Sequence, residues 1–400
     1  YLTSFISIKK KLSCYISMKI LFIGARLFDE VALYAKSRGV TTILSESDPK
    51  SPNLKLADKY HIVPRGMDHP MNIALSEDVD AVVPLIGIDK PLIEIAKMKE
   101  KLEKEYNLPV IASGINATEI SVNKLKTKNF LINNNIKTPK STEISKKQYK
   151  ISKYELRFPT VLKQAEGQGG VGVKIALSPE DIESYFGIYS QAMMEDFLKG
   201  AEVSVEVLRW EKKSVPLVSV YKGDTTLEGT HPLNKIRTAP AKLENLNNLK
   251  IMKIAKNITD KLDANGTTEI EFIFNEETKE INTLEVNTRP SGTRFLTFSS
   301  SNINPMQQLV NMAMGEWKPR TIEREIEHYN ALEMSLSLNQ NNLIQNHSLN
   351  NNNNNNHKKH IFTSDKPWII HGPDKASRIT IRSENPTNSF EIMKNLKIME

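Results

Sequence analysis

Four glycines fall within six positions of the stretch LKQAEGQGGVGVKIAL, residues 162–177: Gly167, Gly169, Gly170 and Gly172. Lys163 lies just upstream. Glycine clusters mark a tight turn, a flexible flap or a close approach of backbone to ligand. Two readings therefore stand side by side, a hairpin turn and a phosphate cradle. In the second, backbone N–H groups hold phosphate oxygens and Lys163 reaches the same group. A second set of residues lies in TEIEFIFNEETKEINTLEVNTRPSGT, residues 268–293. Strand alternation puts Glu269 and Glu271 on one face, with Ile270, Phe272 and Phe274 on the other. It also groups Thr283, Glu285 and Asn287. Antiparallel pairing would bring Glu271, Glu285 and Asn287 onto one surface. Two carboxylates and an amide oxygen suit magnesium, a hard cation that completes its shell with phosphates and water. For Glu269 and Glu271 alone, an exposed acidic sheet face explains as much.

The elements that must position these residues read as two units. The first alternates strands and helices: a strand at 19–25, a helix at 28–39, strands at 41–47 and 80–87, a helix at 91–106 and a short strand at 109–113. That alternation predicts a parallel sheet. Its first turn, Gly24-Ala25-Arg26-Leu27-Phe28-Asp29, has one glycine where a dinucleotide fingerprint needs three, which argues against a nicotinamide enzyme. The second unit opens with a helix at 120–135, and Pro139 prevents helical continuation. The strand 158–164 enters the glycine loop and 172–177 leaves it, with a helix starting at Ser178-Pro179. Strand–loop–strand is not the order of a P-loop. Val173 and Lys174 also stand where that motif needs lysine and Ser or Thr, so the loop reads as a hairpin flap. Later come a helix at 246–262, a strand at 376–383 and a helix at 388–397.

Composition bounds the class. The chain has 400 residues, 39% apolar and 25% charged, which suits a globular enzyme of two or three domains. No apolar run is long enough for a membrane span. A lone cysteine, Cys14, excludes internal disulfides and thiolate zinc sites and points to a reducing, cytoplasmic setting. The net charge of +7 is scattered among glutamates. That is unlike the concentrated basic stripe of a nucleic-acid binder. Residues 1–17 lack the order of a signal peptide, and Met18 directly precedes a strong strand, so they read as a non-native or floppy extension. The tract 339–360 is dominated by asparagine and reads as a disordered insertion.

With these motifs in view, the chain resembles the ATP-grasp superfamily over roughly residues 18–325. Five segments follow that family's order: NKLKTKNFL, FPTVLKQAEGQGGVGV, MMEDFLKGAEVSVEV, KIRTAPA and LEVNTRPSGT. In the first, Asn123 replaces the usual aspartate. The segment before the flap and the EVNTR string are closest to the branch of carbamoyl-phosphate synthetase large subunits and biotin carboxylases. The resemblance implies an α/β multidomain fold. A Rossmann-like domain (18–113) would precede a two-lobed ATP-grasp domain (114–325) with its flap at about 137–200, and a C-terminal segment (326–400) would follow.

The resemblance also implies roles. Lys124, with Lys128 as a substitute, and Lys163 would hold the ATP phosphates under a flap of Gly169, Gly170 and Gly172. Glu195, Phe197 and Leu198 would meet adenine, and Glu202 the ribose. Generic strand alternation would instead leave Glu202 facing solvent. Glu271, Glu285 and Asn287 would hold Mg2+, with Mn2+ as the alternative. Arg237 and Arg289 would serve catalysis by steadying the γ-phosphate and a substrate carboxylate, because guanidinium groups match such oxygens with paired hydrogen bonds. Ser291 and Thr293 would donate to the substrate. His231 lies near Arg237 and reads as structural or exposed.

The implied activity is ligation of a small amino-acid-like carboxylate to an amine, or to a thiol, through an acyl phosphate, with ATP becoming ADP and phosphate. Substrate choice would rest with the first domain, residues 221–235 and the loop 290–304. The alternatives are phosphorylation of bicarbonate or carbamate, and a nucleotide binder without catalysis. Only one glycine flap and one EVNTR string occur, which argues against a full two-halved synthetase. Partners would be small molecules rather than nucleic acid or membrane, and a homodimer is one expected assembly.

Overall fold

The computed structural model describes residues 17–151, 157–228, 235–337, 339–341, 362–363, 366–372, 376–396 and 398. Residues 1–16 of the expected extension 1–17, His231 and most of the asparagine tract lie outside the described residues.

Three sheets organise the chain. The first is parallel, with order β3-β2-β1-β4, from β1 (Lys19–Ile23), β2 (Thr41–Glu46), β3 (Lys59–Ile62) and β4 (Ala81–Pro84). Around it lie α1 (Ala32–Ser37), α2 (Asp68–Ser76) and α3 (Leu92–Tyr106). The helix expected at 28–39 is split into a 3-10 turn at Phe28–Glu30 and α1. The strand expected at 109–113 contributes only a bridge between Val82 and Val110. Apolar residues cover both faces of this sheet. Leu21, Ile23 and Val82 pack under Met98 and Leu102 of α3, and Ile20, Phe22 and Val83 face the rest of the molecule.

The helix expected at 120–135 is two helices, α4 (Ile115–Val122) and α5 (Lys124–Asn133). Asn123 breaks them. Its backbone is extended, and its side chain accepts from the Lys126 N–H as the N-cap of α5. Asparagine does this as well as the family's aspartate, so the exchange at Asn123 leaves the helix start intact. The small flap sheet follows, with order β5-β8-β6-β7, from β5 (Ser141–Ser145), β6 (Thr160–Lys163), β7 (Lys174–Ala176) and β8 (Gln191–Asp196). The helices α6 (Lys146–Ile151) and α7 (Pro179–Ile188) belong to this lobe, and Ile182, Tyr185 and Phe186 of α7 fill its core with Leu162 and Ala192.

The largest sheet has eight antiparallel strands, in order β13-β12-β9-β10-β11-β14-β16-β15. These are β9 (Ala201–Trp210), β10 (Lys213–Asp224), β11 (Arg237–Ala239), β12 (Gly266–Asn275), β13 (Glu280–Asn287), β14 (Asn330–Ser335), β15 (Trp368–His371) and β16 (Arg378–Ser383). One face carries α8 (Asn248–Leu262), whose Ile251, Ala255 and Ile258 pack on Val203, Val205 and Val207. The opposite side carries α9 (Arg294–Ser301), α10 (Pro305–Ala313) and α11 (Pro319–Glu325). Met306 and Leu309 of α10 join one core with Ile20, Phe22 and Phe28 of the first unit. The helix α12 (Pro386–Asn395) covers the C-terminal strands through Met393. The sheet continues across the expected boundary at 325, because β11 pairs with β14 and β14 with β16. Among the described residues no helix is long and apolar enough to cross a membrane.

Candidate active site

A cleft of about 690 Å³ opens between the flap sheet and the large sheet. It is lined by Lys124, Lys163, Gly169, Gly170, Glu195, Phe197, Leu198, Glu202, Arg237, Glu271, Glu285, Asn287, Arg289 and Thr293. These residues come from motifs spread over 170 positions of chain, and one cavity gathers them. Two expected residues are not among its lining, Gly172 and Ser291.

Gly172 sits at the flap base. Its φ is +71°, and a Cβ there would come within 2.6 Å of the Gln164 side chain. Its carbonyl accepts from the Tyr185 hydroxyl at 2.7 Å. Packing thus explains the glycine. Gly169 and Gly170 also have positive φ, +66° and +79°, but a Cβ at either would meet nothing within 4 Å. Those two face open space in the cleft, where backbone N–H groups are available to a ligand. Ser291 is fully buried and its Oγ accepts from the Thr293 N–H at 2.8 Å. Thr293 in turn donates to Glu269 Oε1 at 2.9 Å. Ser291 therefore shapes the turn that presents Thr293.

The flap wall is cationic. Glu195, only 2% exposed, lies between two lysines. Lys163 Nζ donates to its Oε1 at 2.8 Å. Lys128 Nζ lies 2.7 Å from its Oε2 as an ion pair and donates to Thr138 Oγ1, also at 2.7 Å. Burial opposes ionisation of Glu195, but Lys163 and then Lys128 outweigh it and hold its carboxyl below the usual range. Burial lowers Lys128 despite Glu195. Lys163 is raised, because Glu195 and Glu285 overcome its burial. Lys124 stays nearer solvent, at the first turn of α5. Its backbone N–H donates to Ala165 and its ammonium to the Gly167 carbonyl at 2.5 Å, which ties helix to flap.

The opposite wall is anionic. On β12 and β13, Glu271 is directly opposite Glu285, and Glu269 opposite Asn287. The Asn287 amide donates to Glu271 Oε1 at 3.2 Å. Lys222 of β10 reaches Glu271 Oε2 at 2.8 Å and lies 3.9 Å from Glu269. Burial pushes the Glu271 carboxyl up to about 7; Lys222 opposes this, and Glu269 and Glu285 add to it. Glu269 is held low, because Lys222 and the Thr293 hydroxyl outweigh its burial. Among the described residues no cluster of three His, Cys, Asp or Glu forms a metal site. The set here is two carboxylates and an amide oxygen, all hard donors of the kind magnesium takes.

Two arginines complete the cleft. Arg237 on β11 is directly opposite Glu333 on β14, with Nη1 3.3 Å from Glu333 Oε1. Glu333 is fully buried and also accepts from Arg378 Nε at 2.7 Å and faces His371 at 3.2 Å. These partners hold its carboxyl far below the usual range in spite of burial. Arg289 donates through Nε to Asp89 Oδ1 and through Nη2 to Asn287 Oδ1 at 3.4 Å. Glu202 is half-buried and accepts from Lys235 Nζ at 2.9 Å. Its same-face neighbours Ser204 and Glu206 are buried, so this strand face is not turned to solvent.

Sequence reasoning missed Asp89, Lys222, Lys235 and Glu333. Two of them carried a signal. Lys222 continues the strand face of buried Val218 and Val220, and Glu333 interrupts the apolar run Ala331-Leu332 and Met334. A charge where strand register demands burial needs a buried partner.

A glycine flap closing on a large antiparallel sheet that carries paired carboxylates, behind a parallel-sheet domain, defines an ATP-grasp enzyme. Residues 123–320 match the family model of the carbamoyl-phosphate synthase L chain, ATP binding domain. A Methanobrevibacter smithii protein named carbamoyl-phosphate synthase is 43% identical over 368 residues, covering 92% of this chain and 97% of that one. The chain belongs to this carbamoyl-phosphate-synthase-like family of ATP-grasp ligases. Two solved structures share the fold. An ADP complex of N5-carboxyaminoimidazole ribonucleotide synthetase superposes with a TM-score of 0.74 at 19% identity, covering 96% of this chain and 97% of the other. The biotin carboxylase domain of Hydrogenobacter thermophilus 2-oxoglutarate carboxylase, solved with MgADP and bicarbonate, gives 0.73 at 16% identity, covering 94% and 89%.

Proposed function

We propose that this ligase uses ATP to activate a small amino-acid-like carboxylate as an acyl phosphate and passes the acyl group to an amine, or to a thiol. The observation that carries the reading is the division of one cleft into a lysine-rich glycine-flap wall and a carboxylate wall, with Arg237 and Arg289 also lining it. Phosphoryl transfer needs positioning and charge neutralisation rather than a side-chain nucleophile.

On this reading Lys124 and Lys163 bind the phosphates, and Gly169 and Gly170 offer backbone donors from above. Phe197 and Leu198 present backbone to adenine. The Glu195 carboxylate is engaged by its two lysines, so its part is to hold Lys163. Glu202 exchanges Lys235 for the ribose hydroxyls. Glu271, Glu285 and Asn287 hold Mg2+, or Mn2+, and the bound ion supplies neutralisation of phosphate charge. Arg289 and Thr293 orient the substrate carboxylate, and Arg237 steadies the γ-phosphate. A carboxylate oxygen attacks the γ-phosphorus and the bond to the ADP oxygen breaks. The amine then attacks the acyl carbon, loses its proton and displaces phosphate.

A second reading, phosphorylation of bicarbonate, is favoured by the name of the 43%-identical relative. A hydroxylamine trap separates the two. The full chain with MgATP, hydroxylamine and pools of carboxylic and amino acids should yield hydroxamate and ADP from one pool, with none from Glu285→Ala. ADP release with bicarbonate alone, and no hydroxamate, would replace the first reading with the second.

A further inference from the structure

Two ion pairs fasten the parallel-sheet unit to the turn and helix that follow β13. Arg294 grips Glu30 with both Nε and Nη2, at 2.7 and 2.5 Å, and neither residue lines the cleft. Arg289 grips Asp89 through Nε alone, and both line the cleft. The first pair is sufficient as a structural tether. The second puts matched charges where a substrate must sit.

Asp89 is the sole residue of the parallel-sheet unit among those lining the cleft. Three other acids there pair with lysines of the same ATP-grasp unit: Glu195 holds Lys163 and Lys128, Glu202 holds Lys235, and Glu271 holds Lys222. Asp89 instead faces the guanidinium expected to receive the substrate carboxylate. Its backbone N–H donates to Gln168 Oε1 of the flap at 2.7 Å, so the flap closes onto this residue.

We infer that Asp89 is a specificity-determining residue that receives the ammonium group of an α-amino-acid substrate, with Arg289 beside it receiving the carboxylate of the same zwitterion. This rests on the carboxylate-activating reading above. The exchange is electrically balanced. The substrate carboxylate takes Arg289, its ammonium takes Asp89, and no buried charge is left without a counterion. A carboxylic acid without the amine would strand Asp89, a penalty that discriminates strongly between otherwise similar acids.

The test uses the full chain, MgATP and hydroxylamine, with ADP release as readout. The probes are the proteinogenic amino acids and their D enantiomers, each beside its deaminated acid, with bicarbonate as a separate arm. MgADP affinity is measured by calorimetry for wild type, Asp89→Asn and Asp89→Ala. The expected result is that one amino acid exceeds its deaminated counterpart by about 30-fold or more in kcat/KM. Asp89→Asn should close most of that gap, chiefly through KM, with MgADP affinity within about twofold of wild type. Equal use of the deaminated acid by wild type would overturn the inference while leaving carboxylate activation standing. So would a gap that survives in both variants. ADP release from bicarbonate alone, or from no acid in the panel, would remove the underlying reading and this assignment with it.

Discussion

The two walls of the cleft treat the same side chain in opposite ways. Glu195 and Glu271 are both withdrawn from solvent and both touch a lysine. Glu195 is held below the usual carboxylate range, whereas Glu271 is pushed up to about 7. The difference is the count of neighbours. Glu195 faces two ammonium groups, and Glu271 faces one together with the carboxylates of Glu269 and Glu285. The lesson is that one wall satisfies its carboxylate with two ammonium groups, whereas the other sets several carboxylates against one. A polyanion bound with a divalent ion meets surplus positive charge on the flap side and surplus negative charge on the sheet side.

The largest effect should come from breaking the satisfied wall. Glu195→Gln strands Lys163 and Lys128 in the interior and should cost about 3–5 kcal/mol, read from urea unfolding at neutral pH. Next, Glu285→Ala should keep the fold, by circular dichroism, and lower carboxylate-dependent ADP release by roughly 10²–10³-fold. Glu206 comes third. It lies opposite Glu269, under the anionic wall, and burial pushes its carboxyl up to about 7 in spite of the Thr267 hydroxyl. The folded chain therefore keeps a proton that the unfolded chain has lost. Its stabilising share is complete below the ordinary value of 4.5 and is lost as pH rises to about 7. That amounts to about 3 kcal/mol. In Glu206→Gln this group's share of the slope should vanish, so its urea midpoint should fall less steeply than that of wild type between pH 5 and pH 8. The smallest effect tests the comparison most sharply. Glu271→Gln, in EDTA at pH 7, should change stability by less than about 1 kcal/mol, because burial and the neighbouring carboxylates of Glu269 and Glu285 already disfavour its ionised form. A loss equal to that of Glu195→Gln would show that the walls do not differ.

The same contrast marks what the sequence could show. The flap glycines, Lys163 and the Glu285–Arg289 string are local motifs, and local strand alternation grouped Glu271, Glu285 and Asn287 on one surface, while the register that sets Glu271 opposite Glu285 came only with the structure. Boundaries were harder. A cap at Asn123 divided one apparent helix, and β3 with α2 lacked a periodicity strong enough to announce them. Least legible were residues whose meaning comes from distant partners. Asp89 and Arg289 are 200 positions apart, and Arg237 and Glu333 are 96 apart. Nothing within a window of ordinary motif length relates them. Ser291 shows the converse. Its position in a functional string suggested substrate contact, whereas its hydroxyl closes a turn.

The pairing of β11 with β14 also has a consequence for how the enzyme is made. Arg237 leaves the ribosome 96 residues before Glu333, and Arg378 follows a further 45 residues later. Throughout that interval β11 is an open edge, a strand end that invites pairing with a foreign chain. By then the flap, its lysines and the carboxylate wall have all been synthesised. The nascent chain thus holds both walls of the cleft before Arg237 gains the buried Glu333 carboxylate. Arrival of the last strands closes that edge and buries the Glu333 carboxylate between Arg237 and Arg378, so the sheet's hydrogen bonding and its charge balance are completed by the same late event.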